Sequence, residues 1–167
     1  MDASSWRGCR RAVAYCARML GVLTDTLDVT LIHPDAVLPA RSRAGDAGYD
    51  LRSVERVTIP PEGTRLIPTG VAIALPEGVA GLVTPRSGLA LEHGLTLLNA
   101  PGLIDPNYRG EIKVILHNTA EHRYTVEIGD RVAQLLLTPY WAPDLQVVDQ
   151  LEATDRGVSG FGSSGRS

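Results

Sequence analysis

The stretch Asn99-Ala-Pro-Gly-Leu-Ile-Asp-Pro-Asn-Tyr-Arg-Gly-Glu111 brings an amide, a carboxylate, a phenol ring and a guanidinium into one short segment. Asn99 can hydrogen-bond the edge of a ring, Tyr108 offers a flat platform, Arg109 supplies a cation and Asp105 can serve as a base. A carboxylate suits that role toward water when the electrophile is a phosphate whose charge is already neutralised. The plain structural alternative makes Asp105-Pro106 a turn starter, with Arg109 paired to Asp105 or Glu111.

Four other stretches suit an anion or its counterion. Thr84-Pro-Arg-Ser-Gly88 ends a strand-like run and leads into a turn of helix. Unpaired N–H groups at a helix start, the Ser87 hydroxyl and the Arg86 guanidinium would cradle a phosphate. It is not a Walker loop, because Gly-Lys-Ser/Thr is missing, and an ordinary turn explains its Pro and Gly equally well. Asp46-Ala-Gly-Tyr-Asp50 spaces two carboxylates around a glycine, able to hold a hard cation directly or through water, or to form an Asx-rich turn. In Gly129-Asp-Arg-Val-Ala-Gln-Leu-Leu136, Gln134 faces away from Ala133 and Leu135 if the segment is a strand. Its amide then needs a partner, which a phosphate oxygen or a neighbouring core group would supply. In the tail, Arg156, Ser163 and Ser164 can reach an anion, glycines let the backbone fold over it, and Phe161 can stack on a ring. His33, His93, His117 and His122 fall at no metal-ligand spacing and read as surface or core fillers.

The elements that must position these groups are strands. Residues 28–33, 65–75, 79–84, 111–117, 124–128 and 131–138 are short, β-rich and bounded by Gly or Pro. Gly and Pro supply 17 and 11 residues, placed where they read as turns between strands. Only Leu89 to His93 has a helical look. No repeat appears, and no strand-helix-strand unit long enough for a parallel sheet can be placed, so an all-β, mostly antiparallel sandwich or barrel is expected. Its boundaries fall at an N-terminal extension (1–25), a barrel domain (26–150) and a glycine-rich C-terminal arm (151–167), expected to be mobile when empty.

Composition excludes several function classes. The 167 residues suit one domain, and 44% hydrophobic content is enough for a core. A formal charge of -3 argues against a dedicated nucleic-acid binder. Arg, Asp or Pro interrupts every apolar run short of a membrane span, so no membrane partner is expected. Cys9 and Cys16 stand alone near the N-terminus, which removes a disulfide framework, a cysteine zinc finger and a zinc nucleobase deaminase. Residues 1–20 carry Arg7, Arg10, Arg11 and Arg18 against Asp2, a local +3 that leaves -6 for the rest. This segment reads as a disordered extension or an early start with Met19 as the true beginning, and a cytoplasmic location is expected. An Arg-rich organellar transit peptide is the alternative.

Taken in order, the motifs resemble the five of the trimeric dUTP diphosphatase family, across roughly Thr26 to Gly165. They are Asp46 to Leu51, Pro85 to Leu89, Asn99 to Ile112, Gly129 to Leu135 and Arg156 to Gly165. The resemblance implies a jelly-roll-like distorted β-barrel (β-clip) forming a homotrimer, with each active site drawing on all three subunits. It implies Mg2+-dependent hydrolysis of dUTP to dUMP and pyrophosphate by water attack on the α-phosphate. That reaction would limit uracil incorporation into DNA and supply dUMP for thymidylate synthesis. By the same resemblance, Asp50 helps hold Mg2+ through its waters, and Arg86, Ser87, Gly88 and Gln134 contact phosphates. Asp105 activates water, Tyr108 lies under the deoxyribose and excludes a 2'-hydroxyl, and Asn99 with the hairpin backbone reads uracil. Arg156, Phe161, Ser163 and Ser164 form a closing arm.

Two rivals are weighed against this. A dCTP deaminase shares the barrel and trimer but needs a glutamate on the strand after the hairpin, where this chain has Ile115, and an alkyl group cannot shuttle a proton. A non-catalytic nucleotide-binding barrel would keep the pocket but could dispense with Asp105.

Overall fold

In a computed structural model of the chain, which describes residues 26–155 and 157, the short β-rich runs fold as eleven strands and one helix. The strands are β1 Asp28–Leu31, β2 Tyr49–Arg52, β3 Val57–Ile59, β4 Thr64–Pro68, β5 Val71–Ala74 and β6 Val79–Thr84. They continue as β7 Leu95–Leu97, β8 Gly102–Ile104, β9 Lys113–Asn118, β10 Tyr124–Val126 and β11 Arg131–Pro139. Helix α1 spans Ser87–His93, starting two residues before the segment that looks helical in sequence. It stops at Gly94, whose φ of 65° closes the last turn while its N–H donates to Ala90 O over 3.1 Å.

Every strand pair is antiparallel, in four small sheets ordered β1-β5, β10-β3, β2-β11-β6-β8 and β4-β9-β7. Alternation drives the packing: in β9, Val114, Leu116 and Asn118 point inward, while Lys113 is exposed. Leu51, Ile59, Ile67, Val71, Leu95, Ile112, Val126, Ala133 and Leu135 join them in one core, the centre of a jelly-roll-like distorted barrel. The all-β, antiparallel expectation therefore describes the molecule. The run 65–75 is not one strand, however. It breaks at Thr69-Gly70, where Gly70 has φ 66° and an added β-carbon would sit 2.7 Å from both Ala36 Cβ and His33 Cβ. The halves join different sheets, β4 pairing with β9 and β5 with β1.

Candidate active site

The segment from Asn99 to Glu111 forms one side of a pocket of about 260 Å³, lined by Asn99, Gly102, Asp105, Tyr108, Glu111, Lys113 and Ile115 over an apolar wall that includes Val83 and Leu97. Strand β8 presents Gly102 to the pocket, where a β-carbon would lie 3.3 Å from Asn99 Nδ2 and 3.4 Å from Val83 Cβ, so a side chain there would crowd the amide. Beyond β8 the chain turns, with Tyr108 N–H donating to Asp105 O at 3.1 Å. The Tyr108 hydroxyl donates to Glu111 O at 2.9 Å, and its ring lies across Gly110, where a β-carbon would come 2.6 Å from Cζ. Gly110 is thus the residue that lets the phenol fold over the turn.

Arg109 makes no ion pair in this turn. Its Nη1 donates to Pro106 O at 2.6 Å and Tyr108 O at 2.8 Å, which stiffens the turn and leaves Asp105 alone. Asp105 is exposed at the pocket, and no group among the described residues bonds its carboxylate.

A second cluster forms around Asp50. The carboxylate is 7% exposed, and its Oδ2 accepts hydrogen bonds from Ser42 Oγ at 2.8 Å and Arg131 Nη1 at 3.1 Å. Gln134 Nε2 donates to Oδ1 at 3.4 Å, and Arg86 Nε lies 3.6 Å from the same oxygen. Burial opposes ionisation of Asp50, but the bonds from Ser42, Arg131 and Gln134 and the Arg131 charge together hold it below the ordinary carboxylate range. Arg86 also donates to Arg131 O at 2.9 Å, tying the start of α1 to β11. At that start, the N–H groups of Ser87, Gly88 and Leu89 have no acceptor within the helix; the first helical bond runs from Ala90 N–H to Arg86 O.

Strand pairing explains the cluster. Gln134 in β11 sits opposite Asp50 of β2 and Thr84 of β6. The β11–β2 register shifts between Arg131 and Ala133, a bulge that lets Val132 and Ala133 both face the core. By simple alternation Arg131 would share the buried face of Ala133 and Leu135; the bulge turns it onto the side of Gln134 and Asp50. Beside α1, Arg52, Arg86 and Arg131 line a cavity of about 220 Å³ together with one acidic residue, Asp130, a net cationic surround suited to phosphate.

The sequence-predicted residues fall into two groups. Asn99, Asp105 and Tyr108 share the first pocket, while Asp50, Arg86 and Gln134 are bonded together, with Ser87 and Gly88 at the adjoining helix start. Among the described residues, no hydrogen bond or ion pair joins the groups, and the cavities that Asp105 and Arg86 line are separate ones. Asp46 does not partner Asp50. Its side chain reaches back across its own turn, Arg43 N–H donating to Asp46 Oδ2 at 2.8 Å and Asp46 N–H to Arg43 O at 3.2 Å. No group of three or more His, Cys, Asp or Glu suited to a metal exists among the described residues. Arg156, Phe161, Ser163 and Ser164 lie outside them. Sequence reading missed Ser42, Arg52 and Arg131. Only Arg131 carried a signal, its place in the Gly129–Leu136 stretch.

Fold and site define a nucleotide-binding domain of the all-β, jelly-roll-like class. The family model for dUTPase matches residues 35–165, and the chain belongs to that family. The deoxyuridine 5'-triphosphate nucleotidohydrolase of Wolinella succinogenes is 50% identical over 136 residues, 81% of this chain and 91% of that protein. That of Leifsonia xyli subsp. xyli is 49% identical over 144 residues, 86% and 93% of the two chains. The solved dUTPase of Staphylococcus bacteriophage 80alpha with dUPNHPP aligns with a TM-score of 0.81 at 34% identity, covering 86% of this chain and 100% of that one. A mutant dUTPase from phage phi11 of S. aureus, whose structure shows the coordination of a structural Mg(II) ion, aligns with a TM-score of 0.73 at 32% identity, over 77% and 100% of the chains.

Proposed function

We propose that this chain hydrolyses dUTP to dUMP and pyrophosphate, with Asp105 as the base for a water that attacks the α-phosphate. The observation that carries the reading is the convergence of Asn99, Asp105 and Tyr108 on one pocket. An amide to read the base, a ring to carry the sugar and an unpaired carboxylate at the rim are what hydrolysis at the α-phosphorus of a nucleotide requires. Ile115 lines the same pocket, so the position where a deaminase would need a glutamate is alkyl. Incubation with Mg2+ and each deoxynucleoside triphosphate, with pyrophosphate and ammonia assayed separately, tests this. Pyrophosphate from dUTP alone is expected, and ammonia from dCTP would overturn it.

A triphosphate carries about -4 at neutral pH and must be neutralised before water can attack. Arg86, the α1 N–H groups and Gln134 supply donors for its oxygens, and Arg156 of the arm would reach the terminal phosphate. Asp50 is the one carboxylate bonded within that cluster, and four side chains already crowd its oxygens. A hard cation wanting six oxygens finds no direct cage there, so Asp50 would help hold Mg2+ at one remove, through water. When bound, Mg2+ would supply charge neutralisation of the triphosphate.

We further propose a homotrimer whose sites are completed between copies. The separation of the Asp105 pocket from the Asp50 cluster within one chain supports it. So does the segment after β11, where Trp141 is 88% exposed, Leu145 96% and Val147 98%, apolar side chains left uncovered among the described residues. Sedimentation of the full chain at three times the monomer mass is the expected result.

A further inference from the structure

The turn that carries Asp105 and Tyr108 is pinned at its far end by Glu111. This carboxylate is 18% exposed, its Oε1 accepts the N–H of buried Gly70 at 2.8 Å, and its Oε2 lies 3.2 Å from Lys113 Nζ. The anchor is itself fixed. Gly70 sits at φ 66° with no room for a side chain, and its carbonyl accepts Ile32 N–H at 2.8 Å. Beside it, the buried Thr69 hydroxyl donates to Ile112 O at 2.6 Å, while Ile112 N–H donates to Val71 O at 2.8 Å. The backbone carbonyl of the same Glu111 accepts the Tyr108 hydroxyl at 2.9 Å.

We propose that Glu111 is a positioning residue for sugar selection: its carboxylate, seated on the Gly70 N–H, fixes the carbonyl that holds the Tyr108 hydroxyl, and so fixes the ring against which a 2'-hydroxyl clashes. The inference rests on the reading of Tyr108 as the platform under the deoxyribose. Rejection of a ribose by a ring depends on that ring not yielding. Tyr108 is 43% exposed, so packing alone holds it only in part, and the hydroxyl bond supplies the remaining restraint. The Ile112 N–H bond to Val71 O holds the other side of the same peptide plane, so removing the Glu111 side chain would leave that carbonyl held from one side only. A glutamine would keep both holds, because its amide oxygen accepts the Gly70 N–H in the same place.

Steady-state kinetics of the full chain with Mg2+, on dUTP and on UTP, test this in the wild type, Glu111→Ala, Glu111→Gln, Tyr108→Phe and the Ala/Phe double variant. Glu111→Ala is expected to lower the dUTP:UTP ratio of kcat/KM about tenfold, the scale of one lost hydrogen bond, mainly by lowering KM for UTP as the ring yields to the 2'-hydroxyl. Glu111→Gln should restore the ratio. Tyr108→Phe, which cuts the same link from its other end, should match Glu111→Ala, and the double variant should lose no more than either single one. A ratio unchanged in Glu111→Ala while its melting temperature falls would show a merely structural role and overturn the proposal. Multiplying losses in the double variant, or a Gln variant that behaves like Ala, would do the same. Should Glu111→Ala fail to fold, an unchanged ratio in Tyr108→Phe overturns it. A wild-type enzyme with no preference for dUTP over UTP would instead sink the underlying reading of Tyr108, a result distinct from all of these.

Discussion

Arg131 Nη1 and Asp50 Oδ2 stand 3.1 Å apart although 81 residues separate them, and the bulge in β11 is what turns the guanidinium to meet the carboxylate. The ion pair is part-buried, so its loss should be felt in stability as well as in phosphate binding. At neutral pH, Asp50→Asn should cost roughly 1–3 kcal/mol, less than a fully buried pair because Arg131 and Arg86 keep some contact with water.

The pH dependence follows from the same contacts. Folding lowers the Asp50 pKa below its ordinary 3.8, so the stabilisation is fully present above that value and is lost as pH falls through the lower folded one. Melting temperatures of wild type and Asp50→Asn should therefore differ at pH 5 to 7 and converge in acid below about pH 3.8. A gap that stays constant across the acid range would show that the carboxylate charge is not what the cluster stabilises.

Asp105 differs from Asp50 in having no partner among the described residues, and the two should respond differently to neutralisation. Asp105→Asn keeps shape and should leave the melting temperature and dUTP binding near wild type. Turnover should fall by roughly 10²-fold or more, the usual cost of removing a general base. Calorimetric binding of a non-hydrolysable dUTP analogue beside steady-state rates checks both halves, and turnover within a few-fold of wild type would exclude Asp105 as the base.

Much of this arrangement is legible in the sequence because strand alternation is a local signal. β6, β9, β10 and β11 lie where β-rich runs predict them, and Gln134 faces away from the buried Ala133 and Leu135 as period two requires. Strands β3, β7 and β8 have three residues each, too few to show a period, whereas β10, equally short, falls inside the longer β-rich run 124–128; β8 lies within a stretch whose polar residues point to chemistry. The break at Gly70 was hidden because Thr69-Gly70 sits between two apolar runs that read as one. The surroundings of Asp50 were illegible for another reason. Ser42 reaches it from a loop aligned by the Ala40–Asp50 bridge, and Arg131 through a bulge, neither of which leaves a pattern in the residue types. Spacing pointed instead to Asp46, which its own turn consumes.

The division of site residues between two places in one chain gives a direct test of assembly. Asp105→Asn and Arg86→Ala should each be nearly inactive as pure proteins. When the two are unfolded and refolded together in equal amounts, sites that take the hairpin from one copy and Arg86 from another escape both lesions in about a quarter of cases, assuming random mixing. Recovery of activity near that fraction is expected. If every site were built within a single chain, each would carry one lesion and the mixture would stay as inactive as its parts.

The C-terminal stretch from Arg156 makes a demand that composition and chemistry share. Its four glycines and few apolar residues cannot build a core, while Arg156 and Phe161 offer two anchors to a bound nucleotide, one for charge and one for stacking. Ordering several residues costs free energy, which those contacts must offset. Closure should therefore favour a triphosphate over dUMP, which lacks the phosphate that Arg156 would reach. Truncation after Asp155 should leave the melting temperature nearly unchanged yet lower turnover by orders of magnitude, because closure excludes water and completes the site. Amide exchange across 156–165 should slow when a non-hydrolysable dUTP analogue is added with Mg2+, and much less with dUMP. Exchange that is already slow in the empty protein, or full activity in the truncated one, would show that this segment is not a closing arm.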